Sequence, residues 1–560
     1  MDFKDIVLTV GLILIIIIVN KFFPLNKLSL KKYLGYINMN ENMIKDYIKR
    51  ELKVIKDRKR YFDNIRVLFD LSKKNKYTID NQTWDDLIMN DIFTEIDRTY
   101  SSAGEAVLYT ILRNPMMDED KINKRGNLIN LFKKDLNLTI KLRCIFFKLG
   151  FDNKNRLIET INGLLSVNKT KFYIYSFLGI LPIILILSAI LFRQAYFMAI
   201  LLFYVSVIVE VHNKETANIK ALGLIYLRDL ITGAKNLTKI KNDELKPYIE
   251  EIKVLLNQLK DIDKATFLLK VLNSFGGLLE MFAIPFLIEE STYYRISGKL
   301  IEKKDIILRL YYLVGELDAL SSISIYEECN KENCSSPKFV AETSLKIRDG
   351  IHPLLKNPIE NSIEIYNNGI VLTGTNMSGK STFLRMISTN ILLAQTFNFV
   401  LAKEYEASFF NVVSSISPKD DITNGKSFYL AEAESILRII EALKDTIPVF
   451  CPIDEIFRGT NPIERISSSA GILKYINNKG KSICIVATHD KELSDILKGN
   501  YDFYYFSENV DDKNGLSFDY KIKKGISKTR NAIKILDYIG YPKEIIEDSY
   551  KIIENIQGYI

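Results

Sequence analysis

Cysteine and histidine are scarce in this chain, and the scarcity limits what it can be. Its five cysteines, Cys144, Cys329, Cys334, Cys451 and Cys484, are odd in number and scattered over 560 residues, which excludes a disulfide scaffold. Cys329 and Cys334 are close together, but no further Cys or His stands nearby to complete a tetrahedral zinc site. The pattern is that of free thiols in a reducing compartment. Cys451 and Cys484 fall in apolar runs and read as small core hydrophobes. A strong net charge is also missing: the formal value is +8. Most of it is local, because acids are few between Lys21 and Arg66. Such a basic stretch suits a membrane surface or nucleic acid, with a solvated helix face as the plain alternative. With 47% hydrophobic and 26% charged residues wholesale disorder is excluded. The length exceeds what one core holds and implies three or four units.

What is present begins with apolar runs. Ile6–Asn20 carries no charge and is flanked by Lys4 and Lys21. Asp2 and Asp5 precede it and no small-x-small cleavage site follows, so it reads as an uncleaved anchor and not as a signal peptide. Phe172–Phe192 and Ala195–Val209 are uncharged runs separated by Arg193-Gln194 and are expected to form a transmembrane hairpin; a buried soluble hairpin is the alternative. Lysines flanking both segments place the remaining chain in the cytoplasm by the positive-inside rule. The localisation expected is therefore the inner or plasma membrane, with the C-terminal part of the chain in the cytoplasm.

Residues 85–165 and 213–345 show helical periodicity. Leu245, Ile249, Ile252, Leu255, Leu259 and Ile262 recur at three-four spacing, the stripe of a helix that packs on one face. From Asn368 onward short apolar runs alternate with helical stretches. "GIVLTG" reads as a strand running into "GTNMSGKS", Gly374–Ser381, which fits the phosphate-cradling loop, with a helix following. The predicted nucleotide ligands are Gly374, Thr375, Asn376, Met377, Ser378, Gly379, Lys380, Ser381 and Thr382. Lys380 would reach the β- and γ-phosphates and the Ser381 hydroxyl would bind Mg²⁺. "IPVFCPIDEIF" is a strand ending in Asp454, suited to the Mg²⁺ contact, and Glu455, suited to polarising the attacking water. "SICIVATHD" ends in His489, one of three histidines, placed to sense the γ-phosphate. The segment around Asn514-Gly515 alternates like an antiparallel hairpin.

In order and spacing, "TGTNMSGKSTFLR", "AQTFNFVLA", "DDITNGKSFYLAEAES", "DEIFRGTNP", "ATHD" and "GYPKEIIEDS" resemble the MutS family of DNA mismatch repair ATPases. "IDRTYSSAGEAVLYTILRNP" is similar to the start of that family's helical core. The resemblance covers roughly residues 85–150 and 215–550. It implies an α/β ABC-type P-loop ATPase domain with a mixed sheet, preceded by an all-α lever or core domain, here with predicted transmembrane helices. The units expected are an anchor at 1–24, a basic juxtamembrane segment at 25–84, a helical core at 85–345 interrupted by the hairpin at 172–209, and the ATPase at 346–560. It also implies ATP and Mg²⁺ as cofactors and a homodimer through the ATPase domains. Gln395 would occupy the Q-loop position, and Ser427 the segment that completes the opposite subunit's site.

Some family features are missing. The N-terminal mismatch-reading domain has no counterpart, and "FTE" at Phe93–Glu95 falls within the core start. The apolar hairpin stands where the DNA clamp is usual. Phe457 in "DEIFRGT" occupies a position where Gly is usual. Three readings follow: a membrane-anchored ATPase that couples ATP to lever movement and binds double-stranded DNA; a repair protein recognising mismatched or branched DNA; and an ABC-type transport ATPase. The activating ligand is not readable from the sequence.

Overall fold

The computed structural model describes residues 41–52, 54, 58–152, 154–164, 167–188, 192, 195–266, 286–366, 368–375, 377–417, 428–457, 460–490, 492–511, 515–526 and 532–557. The expected anchor at 6–20 lies outside them, as do Asn376 and Ser427. The chain divides into two compact units.

The first unit, residues 1–54, 100–103 and 137–318, is helical throughout its described part. Its longest helix is Ala195–Leu237. Leu227, Leu230, Ile231, Leu310 and Val314 are completely buried and form its core. The stripe Leu245, Ile249, Ile252, Leu255, Leu259 and Ile262 is buried on this core. Full burial is worth about 1.5–3 kcal/mol per aliphatic side chain, which explains why a three-four repeat holds these helices down.

The expected transmembrane helices are not found: among the described residues no helix is long and apolar enough to cross a membrane. Lys169–Ser188 has 20 residues, but Lys169 and Lys171 occupy its first turn. What remains is ~25 Å long at ~1.5 Å per residue, short of a ~30 Å hydrocarbon core. Ala195–Val209 spans only ~22 Å by the same rise before Glu210. The two helices pack together and against Ile288–Glu302. Their outward side is apolar all the same: Tyr173, Phe177, Leu187, Phe197, Leu201 and Ile208 are exposed.

The second unit, residues 55–99, 104–136 and 319–560, includes near its start a short helix α1 (Asn81–Asp86) whose N-cap, Asp80, accepts the Thr83 N–H at 2.7 Å. Two sheets follow. The smaller has the order β1 (Lys338–Phe339), β5 (Glu404–Ala407), β2 (Ser344–Gly350), β3 (Asn361–Tyr366). The larger contains β4 (Gly369–Thr373), β6 (Asn411–Val412), β7 (Val449–Asp454), β8 (Ser482–Ala487), β9 (Tyr501–Asp511) and β10 (Gly515–Lys524) in the order β10-β9-β4-β8-β7-β6. Only β10 runs antiparallel, paired to β9. Every residue of β4, β7 and β8 is buried, which is why these strands are continuous apolar runs without alternation. Cys451 and Cys484 pair across β7 and β8 as buried thiols. Helix α2 (Lys380–Phe397) follows β4 and is buried along most of its length; α3 (Phe428–Ala442) precedes β7.

Candidate functional site

The segments that follow β4 and end β7 meet at a cavity of about 790 Å³. This is where parallel α/β sheets place ligands. Between β4 and α2 the chain must turn back on itself, and Gly374 (φ 146°) and Gly379 (φ 108°) make the turn in conformations closed to other residues. A Cβ on Gly374 would also lie 2.9 Å from Ser378 Oγ and 3.0 Å from the Phe506 carbonyl. Lys380, the first residue of α2, folds back over this loop. Its ammonium donates to the carbonyls of Gly374 (2.7 Å) and Thr375 (2.9 Å).

Two carboxylates close the other side. Asp454 Oδ2 accepts the Ser381 hydroxyl at 2.5 Å. Glu455 takes a left-handed backbone (φ 58°), its N–H donating to the Ala487 carbonyl at 2.8 Å. His489 Nε2 lies 3.1 Å from Glu455 Oε1 and 3.4 Å from Lys380 Nζ. Carrying a proton, that nitrogen donates to Glu455; without one, it accepts from Lys380. The neighbouring Asp490 receives a two-pronged bond from Arg465, at 3.0 and 2.5 Å, and its hydrogen bond raises the Arg465 pKa further.

Thr375, Met377, Gly379, Lys380, Ser381 and Thr382 line the cavity, as do Asp454 and Glu455. Ser378 is buried in the loop, and its hydroxyl has no hydrogen-bond partner. The structure does not bring Gln395 here. It sits in the last turn of α2, ~21 Å from Ser381 at the helical rise, and is fully buried. Its amide is consumed by Phe410, donating to the carbonyl at 2.9 Å and accepting the N–H at 2.8 Å. Gln395→Ala should therefore leave nucleotide affinity intact. It should lower unfolding stability by about 2–4 kcal/mol, because two buried backbone groups lose their partners; chemical denaturation beside nucleotide titration checks both.

Phe457 shows why a glycine suits its position: φ is 61°, a conformation that costs a non-glycine residue roughly 1–2 kcal/mol. The phenyl ring is buried and packs on Tyr429 at 5.2 Å. Burying it contributes about 3–5 kcal/mol, which outweighs the strain.

Sequence reasoning missed the cavity's remaining walls. Leu355, Ile359 and Tyr520 line it. Tyr520 stands at a β-bulge in β10 with φ 51°, its ring 3.3 Å from where a Gly379 Cβ would be. Asn361 holds the bulge, donating to the Tyr520 carbonyl at 2.9 Å and accepting the Ile522 N–H at 2.8 Å. No local sequence signal marks a bulge of this kind. His352 was visible as one of three histidines. It is buried beside Arg385, and the two effects, burial first, push its pKa down to about 4. Its ring is thus neutral, with Nδ1 accepting the Leu354 N–H at 3.3 Å.

A strand, a glycine-bearing loop closed over its own lysine, a hydroxyl–carboxylate pair and a second carboxylate at one sheet edge have the form of a P-loop site. Residues 370–557 match the family MutS domain V. The DNA mismatch repair protein MutS of Pseudothermotoga lettingae is 28% identical over 277 residues, 48% of this chain and 34% of the relative. Those of Listeria monocytogenes (30% over 269 residues, 46% and 31%) and Petrotoga mobilis (30% over 288 residues, 49% and 34%) are similarly related. MutS kinship is supported on both counts, and the match spans about a third of these relatives' length.

Proposed function

We propose that this chain is a MutS-related ATPase that works on DNA, with mismatch repair as the process. The observation that carries the ATPase reading is the Ser381–Asp454 bond at 2.5 Å, with Lys380 and Glu455 around the same cavity. A hydroxyl and a carboxylate in contact are the hard oxygen donors that Mg²⁺ takes from a protein, leaving its other positions to phosphate and water. Phosphate oxygens and water would supply the rest of the shell. The buried, unpartnered Ser378 hydroxyl fits an oxyanion in the loop. When bound, Mg²⁺ would neutralise charge on the β- and γ-phosphates.

In this reading Lys380 releases the loop carbonyls and binds phosphate. Glu455 orients a water in line with the γ-phosphate, and His489 bridges between them. Leu355, Ile359 and Tyr520, on the cavity's wall, would offer apolar surface to a base. A second copy of the chain completes the site, in line with the family resemblance of the segment containing Ser427.

The DNA reading rests on relatives that carry mismatch repair in their names. Membrane attachment is a second reading, favoured by the apolar side chains exposed on Lys169–Ser188 and on residues 195–209, since exposed apolar groups that lie together mark interaction surfaces. ATP hydrolysis by the purified full chain, measured with homoduplex, mismatched and branched DNA, tests the main reading. Mismatched or branched DNA should stimulate turnover above homoduplex. An unchanged rate with every DNA would remove DNA from the function while leaving the ATPase.

A further inference from the structure

Asp86, at the end of α1, is 1% exposed and nearly 300 residues upstream of the phosphate loop. It lies outside the segment that matches MutS domain V. A buried carboxylate needs donors, and Asp86 takes all of its own from one turn: Ser414 Oγ–H (2.7 Å), Ile416 N–H (3.0 Å) and Ser417 N–H (2.9 Å). Ile416 and Ser417 line the nucleotide cavity. Ser415, in the same turn, accepts the Asp454 N–H at 2.9 Å, and Asp454 holds Ser381. From the other side, Arg385 on α2 donates through Nε to the Asp86 carbonyl at 2.7 Å.

These bonds form a closed ring: Ser381 and Arg385 on α2, Asp86, the 414–417 turn, Asp454, and back to Ser381. The rest of α1 is tied to the same wall. Thr83 accepts the Ser414 N–H at 3.2 Å, Gln82 donates to Ser435 on α3 at 2.5 Å, and Arg438 bonds both Asp80 and the Ser414 carbonyl. A ring of this kind fixes the metal-side carboxylate through its backbone, as outer-shell partners do in metal sites generally.

We propose that Asp86 is a positioning residue of the nucleotide–magnesium site, and that occupancy of the site is felt by the Asp80–Asp86 segment through this ring. The proposal rests on the ATP reading above. By linkage, where bound magnesium at Asp454 strengthens the bonds to Asp86, loosening Asp86 weakens magnesium to the same extent.

The test uses the full chain and a fluorescent ATP analogue, titrated with Mg²⁺. In Asp86→Asn the Mg²⁺ concentration for half-maximal binding should rise about 10–100-fold, the range for outer-shell losses, while magnesium-free nucleotide affinity stays near wild type. A variant that is merely less folded would lower the active fraction and leave the Mg²⁺ midpoint in place. In wild-type protein MgATP should slow hydrogen exchange across residues 80–87 and at Ile416 and Ser417; magnesium-free ATP should not. If Asp86→Asn does not fold, Ser414→Ala, which removes one of the three donors, replaces it in the Mg²⁺ titration with a smaller rise of the same sign. An unshifted Mg²⁺ midpoint in a folded variant, or exchange indifferent to MgATP in protein that binds it, overturns the proposal. Wild-type protein that retains no nucleotide overturns the ATP reading first, and this one with it.

Discussion

Lys380→Ala should lose nucleotide. Lys380 is 5% exposed, and its ammonium is held by two carbonyls of its own loop. A buried ammonium is tolerated only with strong acceptors, and phosphate oxygens are better acceptors than neutral carbonyls because the bond is charge-assisted on both sides. Two such bonds at roughly 1.5–3 kcal/mol each correspond to about two to four orders of magnitude in dissociation constant. Equilibrium binding of labelled ATP at physiological salt measures it. Affinity within threefold of wild type would falsify the loop's assignment.

Glu455→Gln should separate binding from turnover. The substitution keeps an oxygen toward His489 Nε2, which now lies 3.1 Å from the carboxylate, and removes the charge that polarises water. Loss of a general base or water-orienting carboxylate costs about 10²–10⁴-fold in rate, while affinity, set by Lys380 and the loop, should hold. ATP-bound protein then accumulates, and if two copies share each site it does so as dimer. Single-turnover hydrolysis combined with light scattering reads both. Hydrolysis surviving at more than a tenth of the wild-type rate would remove Glu455 from the chemistry. The left-handed φ of 58° at Glu455 supports a functional reading, since strained backbone tends to gather at such sites.

Much of the candidate site's geometry was legible because its signals are local. Gly374 and Gly379 are needed by the turn in which they stand. Asp454, Glu455 and His489 end apolar runs, and in a parallel sheet strand ends share one edge. Gln395 misled for the complementary reason. Its place in a motif says nothing of which way a helix presents it, and α2 carries it three to four turns from the phosphates. The hairpin expectation rested on uncharged length. Among the described residues the structure gives no helix that is both long and apolar enough to cross, with apolar side chains still exposed, so uncharged length in the sequence was an incomplete criterion.

From its residues alone, this chain was destined to build a phosphate loop on a buried parallel sheet, with a hydroxyl and two carboxylates at hand. Backbone conformation and strand burial depend on neighbours within a few residues, and those the sequence displays. Tertiary structure alone decided which distant groups reach the site: Tyr520 through a bulge, His352 through burial beside Arg385, and Asp86 through a turn more than 300 residues away. Such contacts arise only when separate segments pack, and no local spacing encodes them.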